Sequence, residues 1–281
     1  MFYDEPLYRP PAEANSVIIQ ATLGCSFNKC TFCTMYETKQ YKERPLDEVF
    51  SDIDTLAKHY PHSTKMFLAD GDALALDTNI LVSILEYAYI KFPKLRRVSL
   101  YASAFNIHEK TLEELVLLKE KGLGLIYYGI ESGSYEILKK IQKPISHKKM
   151  INSLDKVFEA KIKSSVTVIL GIGGKKYSQE HIAETIKLIN KLNITYLSTL
   201  QLMLENNREE KFIKNFKGEF IPLSDKEMLE EQLSFVSGIE PLNKIIFRSN
   251  HISNSLPLAG TFPKDKARLV SELKLYISHY Y

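Results

Sequence analysis

Three cysteines stand within nine residues, in the run Gly24-Cys25-Ser26-Phe27-Asn28-Lys29-Cys30-Thr31-Phe32-Cys33, and the 281-residue chain has no other. Thiols this close, with no distant partner to pair with, read as a metal site rather than a disulfide framework. Structural zinc closes with four ligands, yet no histidine follows at finger-like spacing; the next ones are His59 and His62. Soft thiolates also suit iron–sulfur clusters, whose usual complement is four cysteines. Three ligands leave one metal position open to a small molecule. Zinc completed by a more distant ligand stays as the alternative.

Other groups able to do chemistry recur at intervals along the chain: Asp70-Gly71-Asp72, Gly129-Ile130-Glu131-Ser132-Gly133, Gly171-Ile172-Gly173-Gly174 and Gln201-Leu202-Met203. Each also has a plainer reading. Acidic and glycine residues are common turn formers, and a carboxylate such as Glu131 is favoured at a helix start by the helix dipole. As a dinucleotide fingerprint, Gly171–Gly174 is weak because the third glycine is misplaced. Near the C-terminus, His251 stands with Arg248, Asn250 and Asn254. It is the candidate catalytic side chain, as acid, base or orienting group, and equally a hydrogen-bonded surface loop. Lys39, Lys42 and Arg44 read as a solvated basic face.

Positioning these groups falls to an alternation of strands and helices. Strands are expected at 16–22, 65–69, 97–102, 124–130, 164–170 and 195–204. Helices are expected at 45–57 (apolar face Leu46, Val49, Phe50, Ile53, Ala57), 78–92, 110–121 and 178–192, the last capped by Ser178. Ser134 is expected to cap a further helix that Pro144 breaks, and Ser146 to start another. Six strands separated by helices imply parallel pairing with right-handed crossovers. Beyond residue 204, Asn206–Gly218 reads as a polar surface connection. Helices follow at 224–235 and 264–278, with a short strand at 244–247. Arg248–Gly260 is too polar and broken for a helix. The expected domains are 1–204 and a C-terminal extension, 205–281, over the barrel mouth or side.

The cysteine loop, placed after the first strand of a parallel βα array, resembles the cluster loop of the radical S-adenosylmethionine superfamily. The usual spacing there is three residues, then two. This chain has four, then two, which points to a subgroup with a longer loop. The resemblance covers about Ser16–Leu204. It implies an α/β fold, a partial (βα)6 TIM-like barrel with the site at the C-terminal strand ends. It implies Cys25, Cys30 and Cys33 as ligands of one [4Fe-4S] cluster, with Phe32 near the adenine of S-adenosylmethionine. Asp70, Gly71 and Asp72 match the family's Gly-Gly-Glu element, which holds the methionyl ammonium, with Asp70 in place of the first glycine. Glu131 lies in a motif similar to that of oxygen-independent coproporphyrinogen oxidases and tRNA-modifying members, and so is implied as a carboxylate contacting S-adenosylmethionine. Gly171 and Gln201 are implied beside adenine. Lys163, Lys175 and Arg208 are candidates for the methionyl carboxylate.

By the same resemblance, an outside one-electron donor such as flavodoxin or ferredoxin reduces the cluster, S-adenosylmethionine is cleaved, and the 5′-deoxyadenosyl radical takes a hydrogen atom from substrate. Because no cysteine is left for an auxiliary cluster or a methylated-cysteine route, the expectation is a minimal one-cluster, oxygen-sensitive enzyme. The short flanks are expected to leave no room for a cobalamin domain or most recognition domains. Net charge is +3, from 37 basic and 34 acidic residues. That balance weakens a tRNA substrate and favours a small molecule. Action on tRNA or protein, or a non-catalytic iron–sulfur electron carrier, are the alternatives. There is no signal peptide at the start and no apolar run long enough for a membrane helix, so the expectation is cytoplasmic.

Overall fold

The computed structural model describes residues 3–204 and 206–279. Glu205, which opens the expected extension, lies outside the described residues. The chain forms two compact units that do not follow chain order.

The first unit is built from Met1–Asn28, Cys33–Tyr128 and Lys156–Ser164. Strands β1 (Val17–Gln20), β4 (Lys65–Ala69), β5 (Arg97–Tyr101) and the first part of β6 (Leu123–Glu131) pair in that order, all parallel. A two-residue ladder, β2 (Thr22–Leu23) with β3 (Lys42–Glu43), brackets the cysteine loop. Helices α1 (Leu46–His59) and α2 (Thr78–Lys91) supply the crossovers. Val49, Ile53 and Leu56 of α1 are buried, the face expected from 3–4 spacing. Ser103 caps a short helix, α3 (Ala104–Glu109), which apolar periodicity did not announce. Thr111 and Glu114 then form a capping box that starts α4 (Leu112–Glu120).

The β5–β6 register shifts between Val98 and Ser99, skipping Gly124. A Cβ on Gly124 would sit 2.7 Å from Cγ of Arg97. That arginine is occupied: its Nη2 lies 2.5 Å from Oε1 of Glu13, and the Tyr127 hydroxyl donates to the same oxygen at 2.6 Å. Glu13 is fully buried, so a cation and a phenol together compensate its desolvation. Phe67, Tyr101 and Tyr127 meet edge to face, with centroids 5.1–6.0 Å apart.

The second unit comprises Lys29–Phe32, Gly129–Asp155 and Ser165–Tyr281. It takes the end of β6, then α5 (Tyr135–Lys140), most of α6 (His147–Glu159), most of β7 (Lys163–Leu170), α7 (Gly174–Ile189) and β8 (Tyr196–Gln201). Helices α8 (Asn206–Asn215) and α9 (Asp225–Gly238), strands β9 (Ile245–Ser249) and β10 (Leu258–Phe262), and helix α10 (Lys266–Ile277) follow. β7, β8 and β9 are parallel, and β10 returns antiparallel to β9. Long connections carrying helices are what parallel neighbours require. The fold class is α/β with mostly parallel strands.

Two expectations need correction here. Asn206–Gly218 is not a surface connection, because α8 occupies most of it. Phe212 and Phe216 lie four apart on one face and join Phe220, with centroids 4.9–5.1 Å apart. Three apolar residues, Phe212, Ile213 and Phe216, in a Lys/Glu-rich stretch give too weak a period to read from sequence. Helix α7 begins at Gly174 rather than being capped by Ser178, since the Lys175 amide already donates to the Ile221 carbonyl at 2.8 Å. As expected, the polar stretch Arg248–Gly260 forms no helix; its end runs into β10, whose inward residues Leu258, Gly260 and Phe262 are buried.

Candidate functional site

In the first unit the cysteine loop and the end of β4 are clasped together. Gly24 turns at φ +70, and its amide donates to Oδ2 of Asp70 at 2.8 Å. The Gly71 amide donates back to the Gly24 carbonyl at 2.8 Å. A Cβ on Gly71 would lie 2.7 Å from Cβ of Cys25 and 2.8 Å from the Tyr36 ring, so only glycine allows this approach. Asp70 is itself left-handed, at φ +65, a conformation that aspartate tolerates better than most residues.

Asp70, implied as a cofactor contact, has its carboxylate spent within the loop. It is fully buried, accepts from Gly24 and from Nε2 of Gln20 at 3.2 Å, and pairs with Nζ of Lys39 at 3.1 Å. Lys39 is thus not part of a solvated face: its side chain is 3% exposed, and it also donates to the Asp4 carbonyl. Asp72 is fully buried too, accepting from the Ser26 hydroxyl and the Asn106 amide. Asn28 holds the far side of the loop through Nδ2 to the carbonyls of Tyr36, at 2.8 Å, and Lys39, at 3.3 Å.

Cys25, Cys30 and Cys33 are all half-buried thiols rather than disulfide partners. Among the described residues, no three His, Cys, Asp or Glu side chains are gathered as a centre for a single ion. A polynuclear cluster takes its thiolates on different irons, so its ligands stand apart rather than converging on one point. The chemistry of the donor set fits that group. So does the Tyr36 hydroxyl, which is buried with no hydrogen-bond partner. Burial first, then Tyr101, Asp70, Cys33 and Cys25, keep that phenol protonated far above its ordinary range. A proton donor held beside two of the thiols suits an anionic group there.

Cys30 and Phe32 belong to the loop segment of the second unit, where the Thr31 amide donates to the Ile141 carbonyl at 3.1 Å. In this unit the Gly129–Gly133 motif is explained residue by residue. Glu131 is left-handed, at φ +63, and its carboxylate folds back over Gly129, where an added Cβ would meet Oε1 at 2.0 Å. Nζ of Lys143 lies 2.7 Å from Oε1 of Glu131 and 2.8 Å from the Gly129 carbonyl. Sequence reasoning missed Lys143; its place just before the helix-breaking Pro144 was the available signal. The Ser132 hydroxyl meets Nδ1 of His181 at 2.8 Å. Gly133 lets α7 approach, since a Cβ would lie 2.4 Å from the Glu184 backbone. Ser134 caps α5, accepting from the Ile137 amide.

The end of β7 repeats the left-handed turn at Gly171, φ +77, where a Cβ would strike the Met228 side chain. Its amide donates to Oε1 of Glu231 at 2.5 Å, and Ser178 donates to the other oxygen. Burial drives the Glu231 carboxyl up to about 7 and the fully buried His181 imidazole down to about 4. Glu231 and His181 were also missed, because both lie inside helices whose pattern gives no sign of them.

At the end of β8, Oε1 of Gln201 accepts from the Ser255 amide at 3.2 Å and its hydroxyl at 3.0 Å. His251 caps its own loop: Nδ1 accepts from the Ser253 amide at 3.1 Å and meets its hydroxyl at 2.9 Å. Lys163 is the first residue of β7, at the opposite end of that strand from Gly171, and Lys175 is tied to Glu227 at 2.7 Å. Arg208 is buried.

The sequence profile of the Radical SAM superfamily matches residues 19–189. Among curated proteins, an uncharacterized methyltransferase of Pyrococcus horikoshii is 27% identical over 187 residues, covering 64% of this chain and 38% of its own. A tRNA-2-methylthio-N(6)-dimethylallyladenosine synthase of Petrotoga mobilis is 23% identical over 248 residues, covering 83% of this chain and 56% of its own. The chain therefore spans little more than half, or less, of these relatives. Among solved structures, coproporphyrinogen III oxidase from Escherichia coli aligns with a TM-score of 0.61 at 16% identity, over 79% of this chain and 52% of that one. Methylornithine synthase aligns with a TM-score of 0.52 at 12% identity, over 93% and 81%. With a profile matching more than half of its length, on the parallel α/β fold these structures share, the chain belongs to the Radical SAM superfamily.

Proposed function

We propose that this protein is a one-cluster radical S-adenosylmethionine enzyme acting on a small molecule. The observation that carries the reading is the clasp of Gly24, Asp70 and Gly71 around Cys25, in which an acidic residue organises the loop and a glycine admits the thiol. Cys25, Cys30 and Cys33 would hold a [4Fe-4S] cluster, and Phe32, Gly71, Asp72, Glu131 and Gly171 would contact S-adenosylmethionine. Asp70 acts through the loop rather than on the cofactor. When bound, reduced cluster and S-adenosylmethionine together supply a 5′-deoxyadenosyl radical for hydrogen abstraction. The chain's own part is to orient and shield. Lys39 and Asp70 fix the thiol loop, Lys143 fixes the Glu131 carboxylate, and Glu231 fixes the Gly171 turn. The electron comes from an outside donor of the flavodoxin or ferredoxin kind.

Anaerobic reconstitution with iron and sulfide, reduction, and addition of S-adenosylmethionine tests this. The expected result is about four irons per chain and formation of 5′-deoxyadenosine. An intact cluster with no cleavage would identify an electron carrier, and zinc without iron would revive the mononuclear alternative.

A further inference from the structure

Three polar atoms at the C-terminal end of β8 are buried with no hydrogen-bond partner: Oγ1 of Thr199, Nε2 of Gln201 and Oδ1 of Asn254. Leu197, Thr199 and Gln201 alternate along the strand and share its buried face, which turns from apolar to polar towards the strand end. Thr199 is fully buried and Gln201 is 8% exposed. Folded proteins leave few such groups unpaired, and here three fall on one strand end and the loop bonded to it.

The amide orientations are set by partners that allow no choice. The Ser255 backbone amide only donates, so Gln201 must present Oε1 to it, which leaves Nε2 without a partner. The Thr199 carbonyl only accepts, so Asn254 must present Nδ2 to it, at 2.9 Å, which leaves Oδ1 without a partner. The loop that carries Asn254 and Ser255 is held by His251, whose Nδ1 accepts from the Ser253 amide, and by the Asn254 amide donating to the His251 carbonyl at 3.0 Å. The unpaired set is one donor, one acceptor and one hydroxyl, all uncharged.

We infer that Gln201, Asn254 and Thr199 form a recognition site for a neutral edge carrying an acceptor beside a donor: a carboxamide, a lactam or the edge of a nitrogen heterocycle. In the enzyme proposed above, on which the assignment to substrate rests, this edge belongs to the substrate. The donor of Gln201 meets the ligand's acceptor, and the carbonyl of Asn254 meets its N–H. A charged carboxylate would leave Asn254 facing a like acceptor and is rejected. The adenine of S-adenosylmethionine presents the same chemistry, so the test separates the two sources.

The probes are nicotinamide and nicotinate, followed by saturation-transfer NMR on the full chain, with Gln201→Glu and Thr199→Val as variants. Gln201→Glu keeps an acceptor for Ser255 and replaces only the unpaired donor; Thr199→Val keeps the shape. Thermal unfolding verifies that both variants fold. The expected result is saturable nicotinamide binding, no nicotinate binding, and a loss of about tenfold or more in Gln201→Glu, as for one hydrogen bond removed and an acceptor set against another. S-adenosylmethionine affinity, measured by equilibrium dialysis on the reconstituted protein, stays within about twofold. Absence of nicotinamide binding, or binding unaltered in both variants, overturns the site. A selective loss of S-adenosylmethionine binding in Gln201→Glu gives it to the cofactor and overturns the substrate assignment. The fragment arm needs no cluster, so a failed reconstitution counts against the proposed function and leaves this inference to its own result.

Discussion

Nζ of Lys39 lies 3.1 Å from the carboxylate of Asp70, and both side chains are almost wholly shielded from water. The pair ties the exit of the cysteine loop to the end of β4. An opposite charge at this distance compensates a buried carboxylate only while both partners remain. Lys39→Met strands Asp70 and is expected to cost about 3 kcal/mol in urea unfolding and to lower the iron retained after reconstitution. Adding Asp70→Asn to Lys39→Met is expected to restore part of that stability. A Lys39→Met protein as stable and as iron-replete as the parent would remove the pair from any role in the loop.

Gly71→Ala places a methyl 2.7 Å from Cβ of Cys25 and 2.8 Å from the Tyr36 ring. Overpacking of this kind costs about 1–3 kcal/mol, and relief by shifting the loop misplaces Cys25. Iron and sulfide content should fall more steeply than the melting temperature. Gly218→Ala serves as the control, since no atom lies within 4 Å of its added Cβ; its left-handed φ of +76 costs only local strain.

Glu231 and His181 give the second unit a pH signature. Burial raises Glu231 from 4.5 to about 7, so the native state holds a proton there that the unfolded chain has released. Stability from this group therefore falls as pH rises from about 4.5 to 7. Burial lowers His181 from 6.5 to about 4, so the unfolded chain gains a proton that the native state refuses. Stability from this group rises with pH over about 4 to 6.5. The two oppose each other between about 4.5 and 6.5. Glu231→Gln keeps an acceptor for the Gly171 amide and removes only the falling arm. Its unfolding free energy should climb from pH 4 to 6.5 and then level off, an effect of order 3 kcal/mol. Parallel pH profiles for parent and variant would show that Glu231 does not titrate in this range.

Lys143→Met leaves the Glu131 carboxylate without the cation 2.7 Å away. If Glu131 meets S-adenosylmethionine as proposed, the affinity of the reconstituted protein should weaken by about tenfold, the loss of one charge-assisted hydrogen bond's worth of ordering. Iron content should stay unchanged. Unaltered affinity in both Lys143→Met and Glu131→Gln would confine the pair to a structural role at the end of β6.

The strand–helix alternation, all six principal strands and the family were legible in the sequence. Apolar runs of period two and helical faces of period 3.6 are local properties, and the cysteine spacing is a linear one. The turn at Gly171 was also signalled, because glycine adopts a left-handed conformation without steric cost. What the tertiary structure decided was which charges are spent. Asp70 and Lys39 lie thirty-one positions apart and Gly171 and Glu231 sixty apart. No local pattern marks such pairs, since the free energy that selects them comes from desolvation on folding. The same holds for α8, whose Phe212 gains meaning only against Phe216 and Phe220 beyond its end, and for the unpaired amides of Gln201 and Asn254. Their unpaired atoms are defined solely by the backbone groups that the fold sets against their other ends.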